Sequence, residues 1–215
     1  MILYPDALAV FVSGAVRISR REESQEMSLI KKSFYVAGGI VVGFGAYVGL
    51  LQLTGNFHEV VAGTLYRSSQ PTPSRIENYQ KLVGIRSIIN LRGENRGRGW
   101  YDREINASKA LGIAHYDFRM SSKKSLTARQ TIELVSLLRN VEKPVLVHCA
   151  GGADRTGLVS VLYMTVINGQ NEDLAERQLS PYYGHIPIPF LSSAYAMDES
   201  WEEMEILFGV DETDS

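Results

Sequence analysis

One cysteine, Cys149, is all the thiol chemistry available to this chain of 215 residues. A disulfide within the chain is therefore excluded, and so is a metal cluster built on several cysteines. The lone thiol fits a reducing cytosol. It would also survive export, having no partner within the chain to oxidise with. Net charge is nearly absent as well: 22 basic residues face 24 acidic ones, a balance of −2. That balance gives no footing for bulk nucleic-acid binding. Internal repeats are missing, and from Phe34 to Leu53 charge is missing altogether.

That uncharged run is long enough to cross a bilayer as a helix of about 30 Å. Lys31 and Lys32 stand directly before it, with Arg17, Arg20 and Arg21 further upstream, and the next basic residue after it with a fixed charge is Arg67. The bias predicts a single-pass anchor with the N-terminus in the cytoplasm and the rest on the exported, periplasmic side. A cleaved signal peptide is the rival reading, but no small-x-small cleavage site follows Leu53. Gly39-x3-Gly43 and Gly45-x3-Gly49 suit helix pairing, although tolerance of glycine in membrane helices explains them equally well. Upstream, Met1 to Val16 is largely apolar but carries Pro5 and Asp6, and Arg17 to Glu26 reads as a solvated turn or helix. Met27 opens a short basic leader and is an alternative start to Met1.

The expected organisation is thus an N-terminal cytoplasmic segment (1–33), a transmembrane helix (34–53), a polar linker (54–63) and one catalytic domain (64–215). In that domain, β-branched runs alternate with helical patterns. Leu65 to Ser68, Arg86 to Arg92, Ile113 to Met120 and Pro144 to Val147 read as strands. Helices are expected over Pro73 to Leu82 and Trp100 to Leu111, ended by Gly84 and Gly112, and from a Thr127 cap to about Asn140. Further helices are expected over Leu158 to Met164, Glu172 to Leu179 and Phe190 to Phe208, before an acidic tail, Asp211 to Ser215. The alternation predicts an α/β domain with helices packed on a mostly parallel sheet, its site at the carboxyl ends of the strands.

The richest stretch is His148-Cys149-Ala150-Gly151-Gly152-Ala153-Asp154-Arg155-Thr156-Gly157, between the last strand and the next helix. A Gly-rich turn there aims the backbone amides of Ala150, Gly151, Gly152 and Ala153 at one point, and the helix N-terminus adds positive charge. Amides and Arg155 favour the thiolate of Cys149. The planar fork of Arg155 suits two oxygens of a phosphate, and Thr156 is placed to hydrogen-bond the sulfur. A thiolate under a phosphate so held is an in-line nucleophile. His148 faces the sheet interior by strand alternation and reads as an anchor of the loop rather than a base.

His-Cys, five residues, then Arg-Thr-Gly resembles the signature of the cysteine-based protein tyrosine phosphatases. It is similar in particular to the dual-specificity branch, which includes lipid and inositide phosphatases. Tyr66-Arg67-Ser68-x-Gln70-Pro71 resembles the opening of bacterial dual-specificity domains, so the likeness runs from about Gly63 to His185. It implies phosphomonoester hydrolysis through a phosphocysteine. The substrate would be a phosphorylated protein or phospholipid, and neither cofactor nor metal is implied. An inactive, membrane-anchored phosphate-binding protein is the alternative from another class.

Phosphoester cleavage also needs a proton for the leaving oxygen. Many enzymes of this branch take it from an aspartate after the third strand. Here Met120 to Ser125 holds no carboxylate, and Asp117 lies within the expected strand. Asp154, beside Arg155, matches the position of the proposed acid in myotubularin-type lipid phosphatases and is preferred over Asp117. Arg67 is read as a structural salt bridge rather than a substrate contact. Arg92, Arg96 and Arg98 are read as a solvated loop rather than a phosphate rim, and Lys123 and Lys124 as general loop basicity.

Overall fold

The computed structural model describes residues 5–188, 192 and 194–210. The expected acidic tail and the start of the terminal helix at Phe190 lie outside the described residues. The chain divides into two bodies, residues 1–49 and 50–215.

Helix α1 spans Pro5–Thr54. Its start at Pro5 differs from the mixed reading of the first residues: proline is tolerated in the first turn, and no helix breaker follows for many residues. Within it, Lys31–Thr54 has a mean hydropathy of 1.9 and is long and apolar enough to cross a membrane. Phe34, Tyr35, Val41 and Val42 are each well over half exposed, so the apolar run is not covered by the described residues.

The second body is one α/β domain. Its strands are β1 (His58–Val61), β2 (Leu65–Ser68), β3 (Ser87–Asn90), β4 (Ala114–Asp117) and β5 (Val145–His148). They lie in the order β1-β2-β5-β3-β4, all neighbours parallel except the antiparallel β1–β2 edge. β1 falls in the stretch read as a polar linker. Its four residues show no apolar alternation long enough to announce a strand, and it is held by pairing to β2 across a tight Gly63 turn.

Helices α2 (Pro73–Val83), α3 (Gly99–Ala110), α4 (Ala128–Asn140), α5 (Asp154–Leu162), α6 (Glu172–Glu176) and α7 (Tyr195–Phe208) complete it. α2 starts on a Thr72 cap with Pro73 in its first turn and stops at Gly84, which adopts φ 69°. α4 opens with a capping box between Thr127 and Gln130. α5 passes into a single π-helical turn at Tyr163–Ile167. α6 is shorter than the helix expected to reach Leu179, because the chain turns at Arg177 and Gln178.

Strand alternation sorts the core into two layers. Val145 and Val147 join Leu65, Ile89, Leu134, Leu158, Leu162, Met197 and Trp201 on the α4–α5–α7 face. Leu146 joins Tyr66, Ile76, Tyr79, Ile88 and Ile113 on the α2–α3 face. β5, central and buried on both sides, therefore delivers Cys149 to the middle of the sheet's carboxyl edge.

Candidate active site

Cys149 follows β5 and is buried, 3% exposed. The loop from Cys149 to Ala153 is shaped from outside, one carbonyl at a time. His148 Nδ1 lies 3.3 Å from the carbonyl oxygen of Cys149. The Gln70 amide donates to Ala150 O at 3.1 Å. Asn56 Nδ2 and Gln52 Nε2 donate to Gly151 O at 3.1 and 3.2 Å. Arg67 Nη2 donates to Gly152 O at 2.7 Å and Ala153 O at 3.2 Å. In a trans peptide each carbonyl points opposite to the next N–H. Holding these oxygens outward turns the amides of Ala150 through Asp154 toward the concave side. The Gly152 amide already donates to Cys149 Sγ at 3.2 Å. A cradle of this kind holds an anion.

Gly152 is required twice over. Its φ is 73°, and a Cβ there would come within 2.6 Å of the Ser68–Ser69 backbone. Gly157 lets α5 approach the next segment, since a Cβ would meet Gln178 O at 2.8 Å.

Arg155 is half-buried, and its Nη1 reaches the carbonyl oxygens of Leu91 at 3.4 Å and Met120 at 3.3 Å, at the carboxyl ends of β3 and β4. Cys149, the loop amides and Arg155 are thus brought together. The expected bond from Thr156 to the sulfur is not formed: Thr156 Oγ1 is buried and has no hydrogen-bond partner among the described residues.

His148 anchors the loop as its strand position implied. Its Nε2 lies 2.9 Å from Glu104 Oε1 on α3. The same carboxylate oxygen meets His115 Nε2 at 2.7 Å, and Oε2 accepts from Gln70 Nε2. Glu104 is fully buried. Burial pushes its carboxyl up, but the two imidazoles outweigh that and hold it down at about 2.

Arg67 makes no salt bridge among the described residues, and its fork is turned to the loop and its support. Besides the two loop carbonyls, its Nη1 donates to the main chain and side chain of Gln178 at 2.9 and 2.7 Å, and its guanidinium lies 3.9 Å from the centre of the Tyr183 ring. It is wholly buried and serves as the loop's bracket. Arg96 and Arg98 are exposed as expected. Arg92 is not a solvated loop residue: it stacks 3.6 Å over Trp100 and donates to Gln70 Oε1 at 2.8 Å. Burial and then the like charge of Arg155 pull its guanidinium down, while Cys149 and Glu104 pull it back up. Lys123 and Lys124 are exposed.

The two carboxylates weighed for proton transfer differ sharply. Asp117 at the end of β4 is spent on structure: Oδ1 accepts from Asn90 Nδ2 at 2.8 Å and Oδ2 from the Tyr101 hydroxyl. Asp154, first residue of α5, is 31% exposed, and its Oδ1 meets His185 Nδ1 at 2.8 Å. His185 Nε2 in turn meets Asp198 Oδ1 at 3.0 Å. Glu104, His185 and Asp198 were missed by reading the sequence. The available signal was the scarcity of histidine, four in the chain, with His185 in a Tyr-Tyr-Gly-His turn that no core pattern explains.

A profile of the PTP-SAK family, described as "Swiss Army Knife protein, DSP-PTPase phosphatase domain", matches residues 54–191. The dual specificity protein phosphatase TpbA of Pseudomonas aeruginosa is 24% identical over 116 residues, 54% of this chain and 50% of that protein. The inositol diphosphatase SIW14 of Saccharomyces cerevisiae is 33% identical over 110 residues, 47% of this chain and 36% of the relative. The matched stretch thus spans half or less of these curated relatives. Among solved structures, TpbA superposes with a TM-score of 0.54 at 18% identity, covering 73% of this chain and 92% of that one. The core catalytic domain of SIW14, in complex with citrate, gives 0.52 at 20% identity, covering 72% and 93%. At such identities the structural likeness is one of fold.

Proposed function

Because the chain belongs to the PTP-SAK family of DSP-PTPase phosphatase domains, we propose that it hydrolyses phosphomonoesters through a phosphocysteine at Cys149. The observation that carries this reading is the Gly152 amide 3.2 Å from Cys149 Sγ, in a loop whose carbonyls are all held outward. In the proposed reaction the thiolate attacks phosphorus in line. The equatorial oxygens are held by Arg155 and by the amides of Ala150, Gly151, Gly152 and Ala153, and Asp154 protonates the leaving oxygen and then activates water. Asp154 is preferred to Asp117 because both oxygens of Asp117 are engaged by Asn90 and Tyr101.

The substrate class we favour is a phosphorylated protein, on tyrosine or with dual specificity, as the name of the bacterial relative indicates for that protein. An inositide or lipid phosphate is the second reading, supported by the 33% identity to an inositol diphosphatase. We further propose that the domain, expected from residue 64 but including β1 and the loop supports from Leu50 onward, is carried by a single-pass anchor drawn from the apolar run that begins at Phe34, and that it faces the exported side. The deciding experiment is Cys149→Ser assayed on an aryl phosphate, followed by a panel of phosphopeptides, inositides and phospholipids on the unaltered protein. Turnover should vanish in the variant while phosphate still binds. Turnover near the original rate would sink the mechanism, and an unaltered protein that binds phosphate without turning anything over would be a binding protein instead.

A further inference from the structure

His185 is fully buried, yet its ring is flanked by carboxylates on both sides, Asp154 Oδ1 at 2.8 Å and Asp198 Oδ1 at 3.0 Å. The turn that delivers it is built for the purpose: Gly184 adopts φ 85°, and the His185 amide donates to Ser180 O at 3.1 Å. Each nitrogen of the ring thus faces a carboxylate oxygen, an arrangement that favours the imidazolium form. Burial pulls the ring down, but the bonds to Asp154 and Asp198 prevail and raise it to about 9. The charged groups acting on the ring are Asp154 and Asp198, and Arg67 lies nearby on the loop's carbonyls. α5 and α7 supply the two aspartates, and β2 supplies Arg67, whose guanidinium is pulled down to about 10 by burial while Tyr183, Cys149 and Asp154 favour its charge. Glu176, Glu202 and Glu205 share a surface pocket with Asp198.

Resting on the reading of Asp154 as the acid, we infer that His185 is a positioning residue which holds the proton that Asp154 delivers. Asp198 fixes the ring and its charge from behind. In the first half-reaction the sulfur–phosphorus bond forms as the bond to the leaving oxygen breaks. One proton passes from His185 Nδ1 through the Asp154 carboxyl to that oxygen. In the second half-reaction water bonds phosphorus and the sulfur leaves as thiolate. The proton from water returns through Asp154 to Nδ1. A lone aspartic acid loses its proton near pH ~4, whereas the pair keeps one well into the alkaline range. Phosphates with poor leaving groups are then turned over at neutral pH.

The test is the pH dependence of kcat for an alkyl phosphate. The unaltered protein should keep its rate to the alkaline side, with the basic limb falling near the titration of His185. His185→Gln should move that limb several pH units toward acid. At mildly alkaline pH it should cost ~10²–10⁴-fold, the range of a lost general acid, while an aryl phosphate with an acidic leaving group is far less affected. Asp198→Asn changes a partly exposed side chain, so it decides the matter should the buried substitution fail to fold. Its basic limb should also move toward acid. A limb unmoved in a folded His185→Gln protein, or in Asp198→Asn, overturns the relay. Failure of the phosphatase reading is distinct, because it shows as turnover surviving Cys149→Ser.

Discussion

Arg67 and Gly152 are joined by a bond of 2.7 Å, from a fully buried guanidinium on β2 to a carbonyl of the loop after β5. β2 and β5 are parallel neighbours with Arg67 opposite Val147, so the register of the sheet decides where the bracket meets the loop. Arg67→Lys keeps the charge but loses the planar fork that serves loop carbonyls and Gln178 at once. It should cost about 2–3 kcal/mol, the worth of one or two bonds to a charged group. Loss of activity should exceed what the unfolding curve explains, because the amides of Ala153 and Asp154 lose their aim. Denaturant unfolding and kcat on an aryl phosphate check both parts. An unaltered kcat would show that the loop holds its shape without the bracket.

Glu104 supports the same loop from the other face, through His148. Removing its charge leaves two imidazoles and Gln70 facing a neutral group in a buried site. Glu104→Gln should therefore destabilise by about 3–5 kcal/mol, as for a broken buried pair. The sign of the pH effect follows from a folded value depressed from 4.5 to about 2. The stabilisation is complete above the ordinary carboxylate range and is lost as pH falls through about 2. Acid unfolding of the unaltered protein should lag behind that of the variant across this window, which a circular-dichroism titration measures. Coincident acid transitions would remove Glu104 from the account.

What could be read from the sequence was whatever is contiguous. Cys149, Arg155 and the glycines lie within one loop, and strand alternation alone placed His148 against the interior. The supports are contiguous only in space. Glu104 sits among charged residues on a helix that looks solvated, and only the packing of α3 on the sheet buries it. His185 meets Asp154 across 31 positions and Asp198 across 13, contacts made by the fold of α7 and not by any local period. Arg67 was read as a salt bridge because its true partners are carbonyls, which leave no mark in the sequence. β1 was hidden because an edge strand of four residues needs a partner more than a pattern.

The proposed anchor makes a prediction independent of the chemistry. Lys31 and Lys32 precede the apolar run, and Arg67 is the first arginine or lysine after it. A reporter active only after export, fused behind Ser215, should be active, and the full chain should sediment with membranes until detergent is added. Deleting 34–53 should release it. A reporter active only in the cytoplasm would reverse the orientation, and a freely soluble full chain would remove the span.

The last prediction separates the two carboxylates. An alkyl phosphate cannot expel its oxygen without a proton, whereas an aryl phosphate with an acidic leaving group departs as the anion. Loss of the acid should thus cost ~10²–10⁴-fold on the first substrate and much less on the second. Asp154→Asn should show this split. It should also show a slowed second half-reaction, because water then loses its base, and phosphoenzyme should accumulate with the aryl substrate. Asp117→Asn should behave otherwise. It disturbs the bonds from Asn90 and Tyr101 that fasten β4 to β3 and α3, so it should lower the unfolding midpoint and reduce both activities by a similar factor. Tyr101 gives an internal check. Burial, and then its bond to Asp117, raise the phenol above its usual range. In Asp117→Asn its titration should move back down, which an ultraviolet pH titration of the folded protein would register. Should the leaving-group split instead follow Asp117→Asn and spare Asp154→Asn, the strand carboxylate is the acid, and the contact between Asp154 and His185 is structural.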